Sequence, residues 1–175
     1  FVCDYDITVG FYPFVCCGSL TSISLASTEA EYIAEYCFGL KELILPNVSE
    51  IREGYLPFGS IFGNYGSWTF VGGYNLESLY SPKVIEIKEN TFSGFKKLNN
   101  LEVNWQNLHS IGEYAFEYCS ALDMDIEVDK LVRLGMRAFY GSGITGFKAD
   151  ILEEVTQYTF HNCENLREIY LHIVS

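Results

Sequence analysis

The sequence predicts an α/β solenoid of about seven coils, with a parallel β-sheet on the concave face and short helical or 3₁₀ turns on the convex side. Three observations support this fold class. One unit of 20 to 24 residues recurs along the chain, each unit holds a stretch of alternating apolar residues, and each holds an aromatic segment too short for a full helix. A single unit cannot bury its apolar face, so the stack is the folding unit and residues 1–175 are expected to form one domain.

The repeating unit is clearest between Ile111 and Leu122, where the sequence reads IGEYAFEYCSAL. With Phe116 as its anchor, a small residue or Cys lies three positions later and Leu lies six positions later. The same frame, with one residue deleted after Phe139, gives these anchors along the chain: Phe14, Ala34, Phe70, Phe92, Phe116, Phe139 and Phe160. Their spacings are 20, 36, 22, 24, 23 and 21 residues, and all but one lie within the range of about 20 to 29 residues known for one class of strand-containing repeat.

A strand is predicted after each anchor. Beyond the Leu, the chain alternates apolar and other residues, as at Leu98, Leu101 and Val103, and a period of two predicts a strand with one buried face. The repeats are expected to occupy 11–171, and residues 1–10 are expected to form an N-terminal cap-like segment.

The one long interval between anchors contains a loop insertion at 52–64, which holds three Gly and one Pro. This insertion is apolar for a loop, because it carries Tyr55, Phe58, Ile61 and Phe62. Two interpretations remain open: the insertion folds back over a neighbouring repeat, or it docks a partner.

The unit I-G-x-x-A-F-x-x-C-x-x-L-x-x-I-x-I resembles the BspA-type leucine-rich repeats (the LRR_5 class) of bacterial surface proteins and of surface proteins in some protists. The resemblance covers residues 11–171. It implies a right-handed solenoid used for adhesion, protein binding or assembly, located outside the cell or at its surface, and not an enzyme. Two alternatives are an architectural subunit of a large intracellular assembly and the non-catalytic binding domain of a larger surface hydrolase.

The charge balance excludes some partners. The chain has 23 acidic against 11 basic residues, a net charge of −12, which disfavours nucleic acid and anionic membranes. No apolar run approaches the roughly 18 residues needed to span a bilayer, so membrane insertion is not expected. The expected partner is a protein, either another chain or a second copy, and exposed solenoid ends would support a homo-oligomer or filament.

Two residues on each predicted strand flank the central buried one and should face the concave side. Those assigned as candidate partner-binding residues are Glu42, Tyr80, Glu102, Asp125, Glu127, Lys148, Glu168 and Tyr170. Glu102, Asp125 and Glu127 are expected to be neighbours on adjacent strands, where like charges destabilise. Such a cluster would bind a basic partner or Ca²⁺, or it is simply the solvated face of an acidic protein.

The six cysteines divide into two groups. The small-residue position of the repeat, which is expected to face the core, holds Cys17, Cys37, Cys119 and Cys163. Cys3 and Cys16 lie outside that position and are a candidate disulfide. The chain has no Cys-x-x-Cys and no Cys/His pair at zinc spacing, so neither a metal nor another cofactor is expected.

Catalytic residues are not indicated, because His109, His161 and His172 fall at different points of the repeat and share no register with a nucleophile. His161 lies two residues from Cys163, but Cys163 is a predicted core position. Asn47 begins an Asn-Val-Ser sequon at a predicted strand exit and is a glycosylation candidate.

Overall fold

The computed structural model describes residues 2–3, 14, 17–26, 37–48, 50–51 and 75–174. These residues form short strands and one 3₁₀ helix, Trp105–Asn107. In chain order the strands are β1 (Val2–Cys3), β2 (Ser22–Leu25), β3 (Glu42–Ile44), β4 (Glu50–Ile51), β5 (Ser78–Ser81), β6 (Glu86–Ile87), β7 (Asn100–Val103), β8 (Ser110–Ile111), β9 (Asp125–Val128), β10 (Arg133–Leu134), β11 (Gly146–Leu152) and β12 (Glu168–Ile173).

The strands form two walls, and every hydrogen-bonded pair is parallel. The first wall contains a five-stranded sheet in the order β1-β2-β3-β5-β7 and a three-stranded sheet in the order β12-β11-β9. The second wall is a four-stranded sheet in the order β10-β8-β6-β4. The chain winds from one wall to the other and returns through the anchor segment, so the predicted solenoid fold class is confirmed.

The number of turns is smaller than the sequence predicts. The structure shows about five turns of solenoid, against the predicted seven. The prediction assigns one coil to each anchor, including anchors of incomplete coils. A full turn of the solenoid needs a strand in each wall, so fewer turns are complete. The predicted anchors Ala34 and Phe70 lie outside the described residues.

The anchor segments are turns, because residues on both sides of each anchor adopt left-handed backbone conformations. Two positions before the anchor lie Asn90, Tyr114, Arg137 and Tyr158, with φ of 56°, 56°, 54° and 58°. Two positions after it lie Gly94, Tyr118, Gly141 and Asn162, with φ of 80°, 58°, 63° and 59°. An α-helix requires φ near −63°, so two left-handed residues four positions apart prevent a helix from forming.

The anchor rings form a continuous column through the core. The ring centroids of Phe92 and Phe116 are 5.0 Å apart, those of Phe116 and Phe139 are 5.0 Å apart, and those of Phe139 and Phe160 are 5.9 Å apart. The interplanar angles are 15°, 6° and 5°, so the rings are nearly parallel from coil to coil. The first three rings are fully buried and Phe160 is half-buried. Stacking of identical positions therefore ties successive coils together.

Cysteine at the small-residue position bonds to the coil before it. The Sγ of Cys119 donates to the carbonyl oxygen of Phe92 at 3.0 Å, and the Sγ of Cys163 donates to that of Phe139 at 2.9 Å. In both cases the acceptor is the anchor of the preceding coil. Cys37 and Cys119 are buried and Cys163 is half-buried, but Cys17 is exposed, so the core placement predicted for Cys17 is wrong.

The Gly after the second-wall strand allows coils to approach closely. A Cβ on Gly135 would lie 2.4 Å from the backbone nitrogen of Glu113, and one on Gly112 would lie 2.4 Å from that of Glu89. Any side chain at these positions would force neighbouring backbones apart. Close packing therefore requires Gly in these two coils, whereas the equivalent position holds Lys88 and Thr156 in the coils of Phe92 and Phe160.

The first wall is interrupted between β7 and β9, which are neighbours along the repeat but are not hydrogen-bonded. Extra residues on both sides account for the break. Five positions separate Val103 from Leu108, where other coils have three, and the 3₁₀ helix forms there. Four positions separate Leu122 from Ile126, where other coils have three. These insertions shift the register that a continuous ladder would need.

Candidate interaction surface on the first wall

The strand register sets the candidate residues of the five-stranded sheet in two rows. Glu42 lies between Ser22 and Ser78, and Tyr80 lies between Ile44 and Glu102. Parallel strands in register bring equivalent positions to about 4.8 Å spacing, so each row is a continuous strip of side chains across the sheet.

Polar contacts within this sheet are made between neighbouring coils and, at Asn100 and Glu102, within one strand. Ser22 Oγ donates to Glu42 Oε2 at 2.8 Å. The Nδ2 of Asn100 donates to Ser78 Oγ at 3.1 Å and to Glu102 Oε1 at 3.2 Å. Glu42 and Glu102 thus each accept a hydrogen bond from an uncharged side chain.

The three-stranded sheet carries the second half of the candidate set. Asp125 pairs in register with Gly146, and Gly146 with Glu168. In the next row Glu127 pairs with Lys148, and Lys148 with Tyr170. Four of these residues are exposed, Lys148 is half-buried and Gly146 is buried. The exposed ones are Asp125, Glu127, Glu168 and Tyr170.

The break in the first wall separates the two halves. Glu102 lies on β7 and Asp125 and Glu127 lie on β9, and no ladder joins these strands. The predicted row of three neighbouring acids therefore does not form. The extra residues around the break are the physical reason, because they remove the register on which the expectation depended.

Both acids on β9 instead find partners on β11 or beside it. Glu127 forms an ion pair with Lys148, and Thr145 Oγ1 donates to Asp125 Oδ1 at 2.6 Å. The hydrogen bond and charge of Glu127 raise the pKa of Lys148, with smaller contributions from Asp150 and Asp129. Lys148 therefore remains cationic, and the sheet presents a mixed-charge surface.

A cleft of about 710 Å³ opens over the same three strands. Its floor is shaped by Gly146, since a Cβ there would lie 2.7 Å from Asp125 Oδ1. Gly146 therefore leaves room for the Asp125 carboxylate beside β11. Around it lie Glu127, Lys148 and the 60% exposed ring of Tyr170. The cleft thus combines an aromatic side chain with charges of both signs.

The titratable groups in the described part of the chain show no metal site, and two of its thiols favour the neutral form. No group of three or more His, Cys, Asp or Glu there is placed to hold a metal ion. Burial raises the pKa of the Cys119 and Cys163 thiols, which disfavours the nucleophilic thiolate. The ring of His161 stacks on Tyr140 at 5.3 Å, while Cys163 donates to the Phe139 carbonyl, so His161 and Cys163 use separate partners.

Of the other predicted site residues, Asn47 lies in the described part of the chain. Asn47 Nδ2 donates to the Ala26 carbonyl at 2.6 Å and its Oδ1 accepts from Lys83 Nζ at 2.7 Å, so the nitrogen that glycosylation would modify already makes a hydrogen bond. Glycosylation of Asn47 remains a prediction. The candidate disulfide involves Cys16, which lies outside the described residues, as do the insertion-loop residues Tyr55, Phe58, Ile61 and Phe62.

One cluster of aromatic and charged side chains, which lies on the anchor turns, is not among the predicted site residues. Arg137 Cζ lies 4.1 Å from the ring centroid of Tyr140, and Arg137 Nη1 lies 3.4 Å from Glu117 Oε1. Tyr140 also meets Tyr118 edge to face at 5.4 Å and stacks on His161. These aromatic and charged residues lie one or two positions from successive anchors. Because the repeat aligns the anchors, this spacing could have predicted that the side chains meet.

Parallel walls, an anchor column and coil-to-coil register define the chain as a solenoid repeat protein. The family model of the BspA type leucine rich repeat region matches residues 6–59 and 63–173 in six copies, and the chain belongs to this family. Searches of the curated proteins and of the solved structures find no significant match. In the described residues, no helix has the length and apolarity needed to cross a membrane.

Proposed function

We propose that this protein is a non-enzymatic protein-interaction module that binds its partner through the three-stranded part of the first wall. The observation that carries the proposal is Tyr170, a tyrosine 60% exposed in a strand, beside the Lys148–Glu127 ion pair and above a cleft. Membership in a repeat family whose units stack into extended surfaces supports the same conclusion.

Tyr170 has the properties of an interface anchor. Tyrosine buries a large area at low entropic cost, and it is enriched among residues that dominate binding energy. The surrounding carboxylates and the Lys148 ammonium supply directional polar contacts at the rim. This surface therefore suits a protein segment with an apolar side chain flanked by charged or hydrogen-bonding groups.

A library of random 12-residue peptides displayed on phage tests the proposal with the intact chain as bait. Selected peptides are expected to bind about tenfold or more weakly to Tyr170→Ala, the loss typical of an interface hot spot. Tyr158→Ala is a matched control, because Tyr158 is 59% exposed but lies on an anchor turn. Binding to this control should remain within about twofold of wild type.

The proposal fails if the library yields no binder, or if Tyr170→Ala and Tyr158→Ala weaken the selected peptides equally. Circular dichroism of both variants shows whether each keeps the wild-type fold. Equal losses with intact folds would place binding elsewhere on the molecule.

A second copy of the chain is a specific candidate for the partner. β12 pairs on one side with β11, and no described strand pairs with its other side. Ile169, Ile173 and Val174 are 47%, 53% and 40% exposed along this edge. Exposed apolar edge strands promote association between chains.

Light scattering across a concentration series tests this self-association. The apparent mass should rise with concentration for wild type and remain that of a monomer for Ile173→Lys. Ile85→Lys is the control, because Ile85 is a 43% exposed apolar residue away from β12. A monomer at all concentrations excludes the second copy as partner and leaves the peptide experiment unaffected.

We place the protein at the cell surface or outside the cell, because that location is common among BspA-type repeats in bacteria. Surface biotinylation of intact producing cells tests this location. The protein should be labelled before lysis, and labelling only after lysis would favour an intracellular assembly.

A further inference from the structure

The second wall has an open groove that the proposed function does not use. The groove has a volume of about 800 Å³ and crosses β6, β8 and β10 to the segment that follows β11. Its floor includes Glu86, Ser110 and Arg133, which are in register on the three strands, while Ile87, Ile111 and Leu134 face the core beneath them. The volume lies within the range of about 300 to 1,000 Å³ that is typical of ligand sites.

Carboxylates without a cation partner line this groove. Glu89, Glu113, Glu153 and Glu154 are all exposed, and none forms an ion pair within the described part of the chain. The one lysine in the groove, Lys88, is paired with Glu86. With five glutamates against one lysine and one arginine, the groove is strongly acidic.

The stack brings two of these carboxylates together. Asn90 N–H donates to the Glu113 carbonyl at 2.8 Å, which places Glu89 and Glu113 at equivalent positions on adjacent coils. Adjacent coils are about 4.8 Å apart, and like charges at that spacing repel each other. A basic ligand would remove this repulsion.

The floor of the groove also stays charged. The hydrogen bond from Lys88 lowers the pKa of Glu86, aided by the charge of Lys88, a hydrogen bond from Ser110 and the charge of Arg133, against the opposing effect of burial. Glu86 therefore remains ionised at neutral pH and keeps Lys88 from neutralising the outer carboxylates.

We propose that the groove on the second wall binds an extended, lysine- or arginine-bearing segment of a partner protein. Charge complementarity selects this occupant, and its dimensions fit. Three residues of an extended chain span about 10 Å, and two coils of the stack span about 9.6 Å. A segment about 10 Å long would therefore cross two coils of the groove and bring its basic side chains to Glu89 and Glu113, while its backbone lies over Ser110 and the adjacent Gly112.

The probe is a fluorescein-labelled peptide, Lys-Ser-Val-Lys-Ser-Val-Lys, with the lysines replaced by glutamates as its negative control. Fluorescence anisotropy at physiological salt measures its binding to the full chain, since salt screens long-range attraction to an acidic protein. We expect binding to wild type that weakens about tenfold or more in the double variant Glu89→Lys/Glu113→Lys.

A matched variant separates the groove from the overall charge of −12. Asp129→Lys/Glu164→Lys makes the same change in net charge at exposed positions that do not line the groove. We expect its affinity for the peptide to stay within about twofold of wild type. All four positions are exposed, so both variants should keep the wild-type circular dichroism spectrum.

Three results would overturn this proposal. They are no binding to wild type, an equal loss in both double variants, and a loss on Tyr170→Ala that matches the loss in the groove variant. The third result would assign the peptide to the first wall. The proposed function can fail without affecting this test, because the two surfaces share no lining residue.

Discussion

At the scale of single residues, the anchor phenylalanines connect successive coils through their stacked rings. Phe116 is fully buried and stacks on both Phe92 and Phe139 at 5.0 Å. Phe160 has one such neighbour, Phe139, at 5.9 Å, and it is only half-buried. The anchor ring is therefore expected to stabilise the fold more at Phe116 than at Phe160.

Replacing Phe116 by Ala should lower the free energy of unfolding by about 3–5 kcal/mol, because the change removes a buried ring and leaves a cavity. Phe160→Ala should lower the free energy of unfolding by clearly less, since the Phe160 ring is partly exposed to water and stacks on only one other anchor ring, that of Phe139. Urea denaturation of both variants measures the difference. Equal losses would contradict the stacked column.

Cys119 gives a prediction about reactivity. Its thiol is fully buried and donates to the Phe92 carbonyl, and burial raises its pKa well above the ordinary thiol range. A raised pKa favours the neutral thiol up to alkaline pH, so iodoacetamide should alkylate Cys119 only very slowly in folded protein at both pH 7 and pH 9. Peptide mass spectrometry measures the extent of labelling.

The same protein unfolded in urea is the control for this labelling and should react rapidly at pH 9. A fast, pH-dependent reaction of Cys119 in the folded protein would show that the turn opens readily. That result would contradict its role as a bond between coils.

At the scale of elements, the turn and the second-wall strand of each coil are held by backbone contacts with the coil before. Gly135 N–H donates to the Ile111 carbonyl at 2.9 Å, and its Cα lies against Glu113 so closely that a Cβ has no room. The close approach of these backbones sets the spacing of the second wall. The groove lies on this wall, so its dimensions depend on the same contact.

Gly135→Ala should destabilise the protein by about 1–3 kcal/mol, the usual cost of forcing extra volume into a packed region. The added methyl group would meet backbone atoms of Glu113 at 2.4 Å, and backbone cannot rotate away as a side chain can. Gly18→Ala is the control, because a Cβ at Gly18 meets no atom within 4 Å. Thermal unfolding should show a lower Tm only for Gly135→Ala, and equal Tm values would refute the close-packing argument.

At the scale of the whole molecule, we expect the net charge to oppose folding. The net charge of −12 is spread over a stack that brings equivalent positions of adjacent coils together, as at Glu89 and Glu113. Four ion pairs lie in the described residues, and these leave many carboxylates without a cation. Salt should therefore relieve more repulsion than it removes attraction.

Raising sodium chloride from about 20 mM to about 300 mM should increase the Tm by roughly 2–4 °C, equivalent to about 1 kcal/mol for a protein of this size. Differential scanning calorimetry measures the change. Glu89→Gln/Glu113→Gln should show a smaller increase, because part of the repulsion is already gone. A Tm that falls with salt would mean that the ion pairs outweigh the repulsion.

Much of the fold follows from local sequence pattern. The anchors, the alternating strands and the residues that share a row on the first wall all depend on spacings that recur in every coil, so the register of Glu127 with Lys148 could be predicted. The left-handed turns could not, because bulky residues such as Tyr114 and Arg137 adopt that conformation only when the stack imposes it.

The sequence by itself determined that this chain is a stack of BspA-type repeats, since a unit of this length buries its apolar face only against neighbouring copies. Only the tertiary structure decided where the stack is interrupted and which charges meet. Extra residues near Trp105 and Met124 break the ladder between β7 and β9, which separates Glu102 from Asp125 and leaves Glu127 to pair with Lys148. Such pairings depend on distances between coils, and these distances are set by packing that no single repeat contains.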